Sequence, residues 1–513
     1  MTKKHFWFGR ELTDEQLEAE VSSRLDWAIP KTDFNCEEVI RVIGEWSKGL
    51  SLSLDHTFKK ELIKFCSEEE LRAKVIKELG SFEKLKMRRV DFSGNYFERR
   101  SPLGVVTHIL PGNSEGLSFL ACIESLLVGN INIIKLSQAE SDLSIQLAKD
   151  LINFDNSGVI KERIAFLRLS SGSKALDKIL SLSQGVSAWG GDSALSAIRS
   201  KISPQVAFIP WGHKISFSLV SGGEMNESQF VALAHDVIDL NQQACSSPQV
   251  IFYECSSEDE LKEFAQVLMP YLASASKEKG PLTLTQQERA EIQNEGMVYQ
   301  FMESQQEGFF IESEDVRILG KMKFELGPSP LNRTVHLRPI NREVLVETLL
   351  PWREYLQTCG LCSSKKTEFL EWSKLLFEAG INRVCLPGKM VDSYSGEPHD
   401  GQYALERLSK VVRVELENGE LNTTLFGRPL KGKSENSELM DKEAFQNQSD
   451  NGKAQFYFKS GGSSGTPKIS RFTYQDYHSQ MLAASDGLIA ADLDPNQDRV
   501  VNLFFGEASM ADS

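Results

Sequence analysis

The segment that most constrains the fold is Gly104-Val-Val-Thr-His-Ile-Leu110. It is followed by Pro111-Gly-Asn-Ser114, an apolar stretch to Val128, the break Gly129-Asn130 and the run Ile131-Asn-Ile-Ile-Lys135. A β-branched run, a proline–glycine turn, a stretch of helical length, a stop and a second β-branched run spell strand, helix, strand. Strands joined through a crossover helix are parallel, and a parallel sheet needs helices on both faces. The pattern continues through Ile164-Ala-Phe-Leu167, a helix after Ser173, Gly185-Val-Ser-Ala-Trp189 and Gln205-Val-Ala-Phe-Ile209. This predicts a doubly wound α/β domain. The preceding hundred residues read as helical, notably Lys59 to Leu79, where Leu62, Phe65, Cys66 and Leu71 share a face.

A second α/β region begins near Gly223, and the texture changes again after Glu417. Residues 418–453 are rich in Asn, Ser, Gly, Glu and Lys and read as a linker. The expected boundaries are therefore 1–222, 223–417, a linker at 418–453 and a short piece at 454–513. The 57 basic side chains against 72 acidic ones give a formal net charge of −15. Such a surface repels phosphate backbones, so nucleic acid is not expected as a partner. The longest apolar stretch, Gly116 to Leu136, is interrupted by Glu124, Asn130 and Asn132, so no membrane span is expected. The first residues carry no long apolar core and no small-residue cleavage site, and eight cysteines are too sparse for a disulfide scaffold. A cytoplasmic location with free thiols follows as the expectation.

Three constellations can carry chemistry. In Asn241-Gln-Gln-Ala-Cys245-Ser-Ser-Pro-Gln-Val250, a cysteine follows a helix (Ser228 to Leu240) and precedes an apolar strand. A thiolate is the strongest ordinary side-chain nucleophile near neutral pH and acylates readily. Taken alone, a cysteine in this place reads as a buried structural thiol. Asn113 and Lys135 end neighbouring strands, at the edge where open α/β sheets bind ligands. Asn113 can donate to a developing oxyanion, or it can simply cap its own helix. Lys135 can hold a ribose or phosphate, or be a solvated lysine. The third constellation is Ser460-Gly-Gly-Ser-Ser-Gly465-Thr-Pro-Lys468, after Phe456-Tyr-Phe458: a turn whose amides and hydroxyls can wrap phosphate, or a plain linker. Cys359-Gly-Leu-Cys362 has the spacing of a zinc half-site but lacks a nearby second half, so no metal is expected.

Taken together, the strand–Pro-Gly-Asn–helix order, Gly129-Asn-Ile-Asn-Ile-Ile-Lys135, Trp189-Gly-Gly191, Trp211-Gly-His-Lys214 and Cys245 resemble the aldehyde dehydrogenase superfamily. Ala244-Cys-Ser-Ser-Pro-Gln-Val250, Gly380-Ile-Asn-Arg-Val-Cys-Leu-Pro-Gly-Lys-Met390 and Pro398-His-Asp-Gly401 resemble its LuxC-type branch, the fatty-acid reductases of bacterial luminescence. The resemblance implies an aldehyde dehydrogenase-like fold, with residues 1–222 forming N-terminal helices and an NADP-binding domain and residues 223–417 a catalytic domain. It implies NADPH-dependent reduction of long-chain acyl-CoA or acyl-protein thioester to aldehyde, in a homo-oligomer served by an acyl-activating partner or fused domain. Cys245 would be the nucleophile and Asn113 an oxyanion donor. Lys135, Ser137, Trp189, Gly190, Gly191 and Gly212 would lie on the cofactor side, and His399 would be an acid or a substrate contact. Where aldehyde-oxidising relatives carry the glutamate that activates water, this sequence has Pro210, which cannot act as a base.

The loop with Ser460, Gly462, Ser463, Ser464, Gly465 and Lys468 resembles the phosphate loop of acyl-adenylate-forming enzymes, so 454–513 reads as the truncated start of such a domain. The alternative function is accordingly an ATP-dependent acyl-activating ligase fused to a dehydrogenase-like scaffold. Most of an adenylating domain would lie outside these sixty residues, so the purified chain is expected to show no ATP–pyrophosphate exchange with fatty acid. Robust exchange would favour the ligase reading.

Overall fold

The computed structural model describes residues 5–23, 26–53, 59–91, 96–110, 116–137, 140–221, 223 and 225–415. Beyond these it describes 424–425, 428–429, 456–459, 469–472, 477, 480, 484 and 508–510. The chain divides into two units, Met1–Glu415 and Leu416–Ser513.

The first unit opens with β1 (His5–Trp7), β2 (Arg10–Leu12) and helices α1 (Asp14–Ser23), α2 (Cys36–Ser53), α3 (Lys59–Phe65) and α4 (Glu68–Leu79). After β3 (Arg88–Asp91) and β4 (Tyr96–Pro102), strands and helices alternate: β5 (Val105–Ile109), α5 (Leu117–Leu126), β6 (Ile131–Lys135), α6 (Leu143–Phe154), β7 (Ile164–Leu167), α7 (Lys174–Leu182), β8 (Gly185–Trp189), α8 (Asp192–Arg199) and β9 (Ala207–Trp211). These strands form a sheet of order β2-β1-β7-β6-β5-β8-β9, parallel from β7 to β9, with β1 and β2 added antiparallel at one edge. The order reverses beside β5, which is the switch point where such sheets bind ligands at their carboxyl edge. The continuous apolar runs follow from burial on both faces. Val105, Ile131 and Ile133 turn into one core, Val106 and Ile134 into the other.

Two local differences from the sequence reading have clear causes. The stretch 59–79 is two helices, because the Ser67 side chain accepts the Glu70 N–H at 3.3 Å and caps a fresh start for α4. Leu62, Cys66 and Leu71 nonetheless share one core. The N-terminal β1–β2 hairpin was absent from the sequence reading; three-residue strands are too short to show a period.

A second sheet follows after only three residues, Gly212 to Lys214. Its elements are β10 (Ile215–Val220), α9 (Glu227–Ile238), β11 (Pro248–Glu254), α10 (Glu258–Lys279), α11 (Gln286–Ser304), β12 (Phe309–Ser313), β13 (Val316–Gly320), β14 (Thr334–Ile340), α12 (Leu345–Leu349), β15 (Leu356–Cys362), α13 (Lys366–Ala379) and β16 (Arg383–Cys385). The order is β12-β13-β14-β11-β10-β15-β16, parallel except for the β12 edge. Cys359 and Cys362, three apart on β15, enter different cores on opposite faces and cannot form a half-site together. The fold is therefore α/β, with two doubly wound sheets.

The first unit ends with α14 (Ala404–Arg407) and β17 (Ser409–Glu415), which pairs antiparallel with β4, itself paired to β3. In the second unit, Phe456–Lys459 pairs antiparallel with Ile469–Phe472 and with Ala508–Met510. Among the described residues no helix is long and apolar enough to cross a membrane.

Asn130 brackets the first sheet to the end of the unit. Fully buried, it accepts the Gly104 N–H at 3.1 Å and donates to Leu408 O at 2.8 Å and Ser125 Oγ at 3.1 Å. Replacing it by alanine leaves a buried donor and a buried acceptor unpaired, so Asn130→Ala is expected to lower stability by about 2–4 kcal/mol in urea denaturation. An unchanged midpoint would show that the bracket contributes nothing.

Candidate active site

Because β9 ends the first sheet and β10 starts the second after three residues, the carboxyl edge of one sheet meets the amino edge of the other. Cys245 lies on this seam, in the turn between α9 and β11. The turn is held in a conformation that side chains disfavour: Asn241 and Gln242 have φ of 49° and 61°, and facing them Leu331, Asn332 and Arg333 have 58°, 51° and 64°. Each such residue costs about 1–3 kcal/mol and persists only where its surroundings impose it. Here they do. Asn241 Oδ1 accepts from Arg333 Nε at 2.8 Å, and Asn241 O accepts the Asn332 N–H at 3.0 Å. Gln242 accepts the Thr334 N–H at 3.0 Å and donates to Pro248 O at 2.8 Å. Buried Ser216 donates to Cys245 O at 2.7 Å and accepts the Thr358 N–H at 3.1 Å.

The thiol thus presented differs from the other seven. Cys36, Cys66, Cys122, Cys359 and Cys362 are buried, and Cys255 and Cys385 are partly so, whereas Cys245 is exposed. Burial pushes the Cys36 and Cys385 thiols up to about 12 and those of Cys255 and Cys362 to about 11.

Opposite Cys245 stands His399, from the segment between β16 and α14. Its ring meets Trp211 edge-on at 4.7 Å between centroids and Trp189 at 5.5 Å, and the two indoles stack on each other at 5.4 Å. Trp211 is fixed by its Nε1 donating to Ser187 Oγ at 2.9 Å and by the Arg407 guanidinium, 4.6 Å above its ring. His399 Nδ1 lies 3.5 Å from Asp400 Oδ2, and Asp400 Oδ1 accepts from Gln357 Nε2 at 2.7 Å. Burial disfavours the imidazolium, but Asp400 and Cys245 outweigh it and raise the His399 pKa to about 10.

Cys245, His399, Trp189 and Trp211 line one cavity of about 520 Å³. Phe65, Leu117, Leu120 and Ala121 give it an apolar wall. One corner is polar: Lys74 Nζ lies 2.5 Å from both Glu78 and Glu124, and Glu78 accepts the Leu405 N–H at 2.7 Å. Burial disfavours the ammonium, but Glu124 and Glu78 outweigh it and raise its pKa.

The other candidate residues lie along the carboxyl edge of the first sheet. Lys135 ends β6, half-buried, and burial lowers its pKa against the pull of Glu140; Ser137 follows two residues later. Gly190 has φ 153°, and a Cβ at Gly191 would come 3.0 Å from His213 Nε2, so both positions suit glycine. A Cβ at Gly212 would make only ordinary contact, 3.7 Å from Leu195. Pro210 is exposed on β9. Asn113 and the loop residues Ser460, Gly462, Ser463, Ser464, Gly465 and Lys468 lie outside the described residues. The sequence reading overlooked Asp400, Gln357, Trp211 and Ser216. Asp400 and Trp211 were within reach, standing in the quoted motifs Pro398-His-Asp-Gly401 and Trp211-Gly-His-Lys214; Gln357 and Ser216 become neighbours only through the fold. Among the described residues no group of three or more His, Cys, Asp or Glu could hold a metal ion.

Residues 26–411 match the family model described as acyl-CoA reductase (LuxC). The chain is 25% identical over 331 residues to long-chain acyl-protein thioester reductase 2 of Photobacterium leiognathi, covering 63% of this chain and 66% of that protein. It is 27% identical over 329 residues to the long-chain acyl-protein thioester reductase of Photorhabdus luminescens, covering 62% and 65%. The match thus spans just under two thirds of these relatives' length. Among solved structures, a mutant of aldehyde dehydrogenase from Bacillus cereus superposes with a TM-score of 0.59 at 13% identity, covering 81% of this chain and 96% of that one. Glyceraldehyde-3-phosphate dehydrogenase GapN from Methanocaldococcus jannaschii, complexed with NADP, gives 0.56 at 15% identity, covering 79% and 95%. The fold is that of the aldehyde dehydrogenases, and by its sequence the chain belongs to the acyl-CoA reductase (LuxC) family.

Proposed function

We propose that the chain reduces long-chain acyl thioesters, acyl-CoA or acyl-protein, to aldehydes through a thioacyl group on Cys245, with NADPH as reductant. The observation that carries this reading is the one exposed cysteine, opening onto a cavity with an apolar wall. A cavity of this size is ordinary for a small-molecule site, and the side chains of α3 and α5 offer an acyl chain the apolar surface it needs. Cys245 attacks the thioester carbonyl. Asn113 and the Cys245 backbone N–H are proposed to donate to the oxyanion, and the strained turn holds the sulfur in place. The nicotinamide, when bound, supplies the hydride that makes the thioacyl carbon an aldehyde. Lys135 and Ser137 at the end of β6, with the close backbone at Gly190, Gly191 and Gly212, are suited to hold its dinucleotide. A half-buried ammonium and a glycine-lined edge at a switch point fit an anionic, ribose-bearing ligand. The curated relatives' names support the acyl-thioester substrate. With proline at position 210, water lacks the base that oxidising relatives supply, which favours reduction over hydrolysis.

Two outcomes are expected. Long-chain acyl-CoA with NADPH yields aldehyde, and Cys245→Ala lowers the rate at least a thousandfold, as loss of a nucleophile does. Aldehyde formation by a folded Cys245→Ala chain at a comparable rate would end the reading, and a faster reaction with NADH would correct the cofactor. Separately, one equivalent of iodoacetamide under native conditions is expected to modify Cys245 at least tenfold faster than any other cysteine, as read by peptide mass mapping. Even labelling across all eight would contradict the described burial.

A further inference from the structure

We propose that His399 is the acid–base partner of Cys245, taking the thiol proton and passing it to the sulfur of the departing acyl donor, and that Asp400 positions it for both transfers. The proposal rests on the reading of Cys245 as the acylated nucleophile and adds the group that moves its proton.

The geometry singles out this histidine. Cys245 and His399 face one cavity, and the Cys245 sulfur is among the groups that raise the His399 pKa. Nδ1 is shut off from solvent and lies 3.5 Å from the Asp400 carboxylate, which leaves Nε2 for the cavity. Two indole faces fix the ring plane. The carboxylate is held in turn. Gln357 at the start of β15 donates to it at 2.7 Å, and Asp400 itself is left-handed, with φ 51°, followed by Gly401 at 75°. A Cβ at Gly401 would come 2.7 Å from Asn382 Oδ1, so the turn is closed to other residues. Backbone strain of this kind is retained where a side chain must point one way. Lys214 and Arg407 add positive charge that acts on Asp400. The raised His399 pKa agrees: beside Asp400 and the Cys245 thiolate, the imidazole keeps the proton taken from the thiol until the donor sulfur receives it.

The proton balance is simple. The Cys245 thiol gives its proton to His399 Nε2, and the thiolate attacks the carbonyl carbon of the donor thioester. The bond between that carbon and Cys245 sulfur forms, and the bond to the donor sulfur breaks with its electron pair. The donor leaves as a thiolate and takes the proton from His399. Thiol plus thioester gives thioacyl-cysteine plus donor thiol, and His399 ends as it began.

The test separates a proton carrier from a packing residue by the leaving group. Acyl transfer to Cys245 is followed by mass at pH 9, where an unassisted thiol of pKa about 8.5 is already mostly ionised. Two donors are compared: acyl-CoA, whose thiolate leaves poorly without a proton, and the 4-nitrothiophenol thioester of the same acid, whose thiolate leaves unaided. His399→Gln is expected to slow transfer from acyl-CoA about a hundredfold or more, the usual range for general acid catalysis. Transfer from the nitrothiophenol ester should slow less than about tenfold. Asp400→Asn should show the same donor-selective pattern at smaller size, and it carries the comparison if circular dichroism shows His399→Gln to be unfolded. Equal slowing with both donors, or no slowing with either, overturns the proposal. A wild-type chain that takes up no acyl group from either donor overturns the acyl-enzyme reading as well.

Discussion

The three residues Gly212 to Lys214 set most of what this molecule can do. Because β9 and β10 are joined so tightly, the carboxyl edge of the first sheet is brought against the amino edge of the second, and the crevice between them is a consequence of chain connection rather than of any one contact. Parallel α/β sheets gather ligand-binding loops at their carboxyl edges. Here that edge carries Lys135 at the end of β6 and brings Trp189 and Trp211 to a seam whose other wall carries Cys245, Gln357 and Thr358. The proposed dinucleotide side and the thiol side are thus built by different sheets.

Placing a nucleophile on a turn between elements is ordinarily imprecise, since turns are the mobile part of a fold. This turn is an exception with a physical cause. Five non-glycine residues in left-handed conformation, two before Cys245 and three facing them, are locked by hydrogen bonds through Arg333, Gln242 and Asn332. Arg333 is itself buried and donates to Ser276 Oγ at 2.7 Å and Gly280 O at 2.9 Å, which ties the turn to the end of α10. The sulfur is exposed while the backbone that carries it is rigid. That combination suits the nucleophilic role proposed for Cys245.

The alternating strands and helices were legible because burial on both faces leaves uninterrupted β-branched runs, and Val105 to Ile134 shows how each run feeds two cores. The break between α3 and α4 was not, since helical spacing continues across it and only the Ser67 cap ends one helix and begins the next. In the site, Cys245 and His399 stood in motifs that could be read along the chain. Their relation to each other, 154 positions apart, could not. Trp211 stood in a quoted motif without a role, and nothing in the neighbourhood of Gln357 marks it; both matter because β9 ends and β15 begins at the same seam. The polar corner of Lys74, Glu78 and Glu124 is shared between α4 and α5, and only the fold brings its charges together.

The proposed chemistry follows from keeping two features in one cavity, an accessible thiol and an imidazole beside a carboxylate, against a wall of apolar side chains. Position 210 carries a proline, so it offers water no base. The most direct test is a rapid-quench single turnover with acyl-labelled thioester, in which label is located by peptide mapping before and after NADPH is added. The account predicts label on the peptide carrying Cys245 alone, stable without NADPH and converted stoichiometrically to aldehyde when it is added. Aldehyde formed with no label ever passing through Cys245, or label on Cys245 that NADPH cannot discharge, would contradict it.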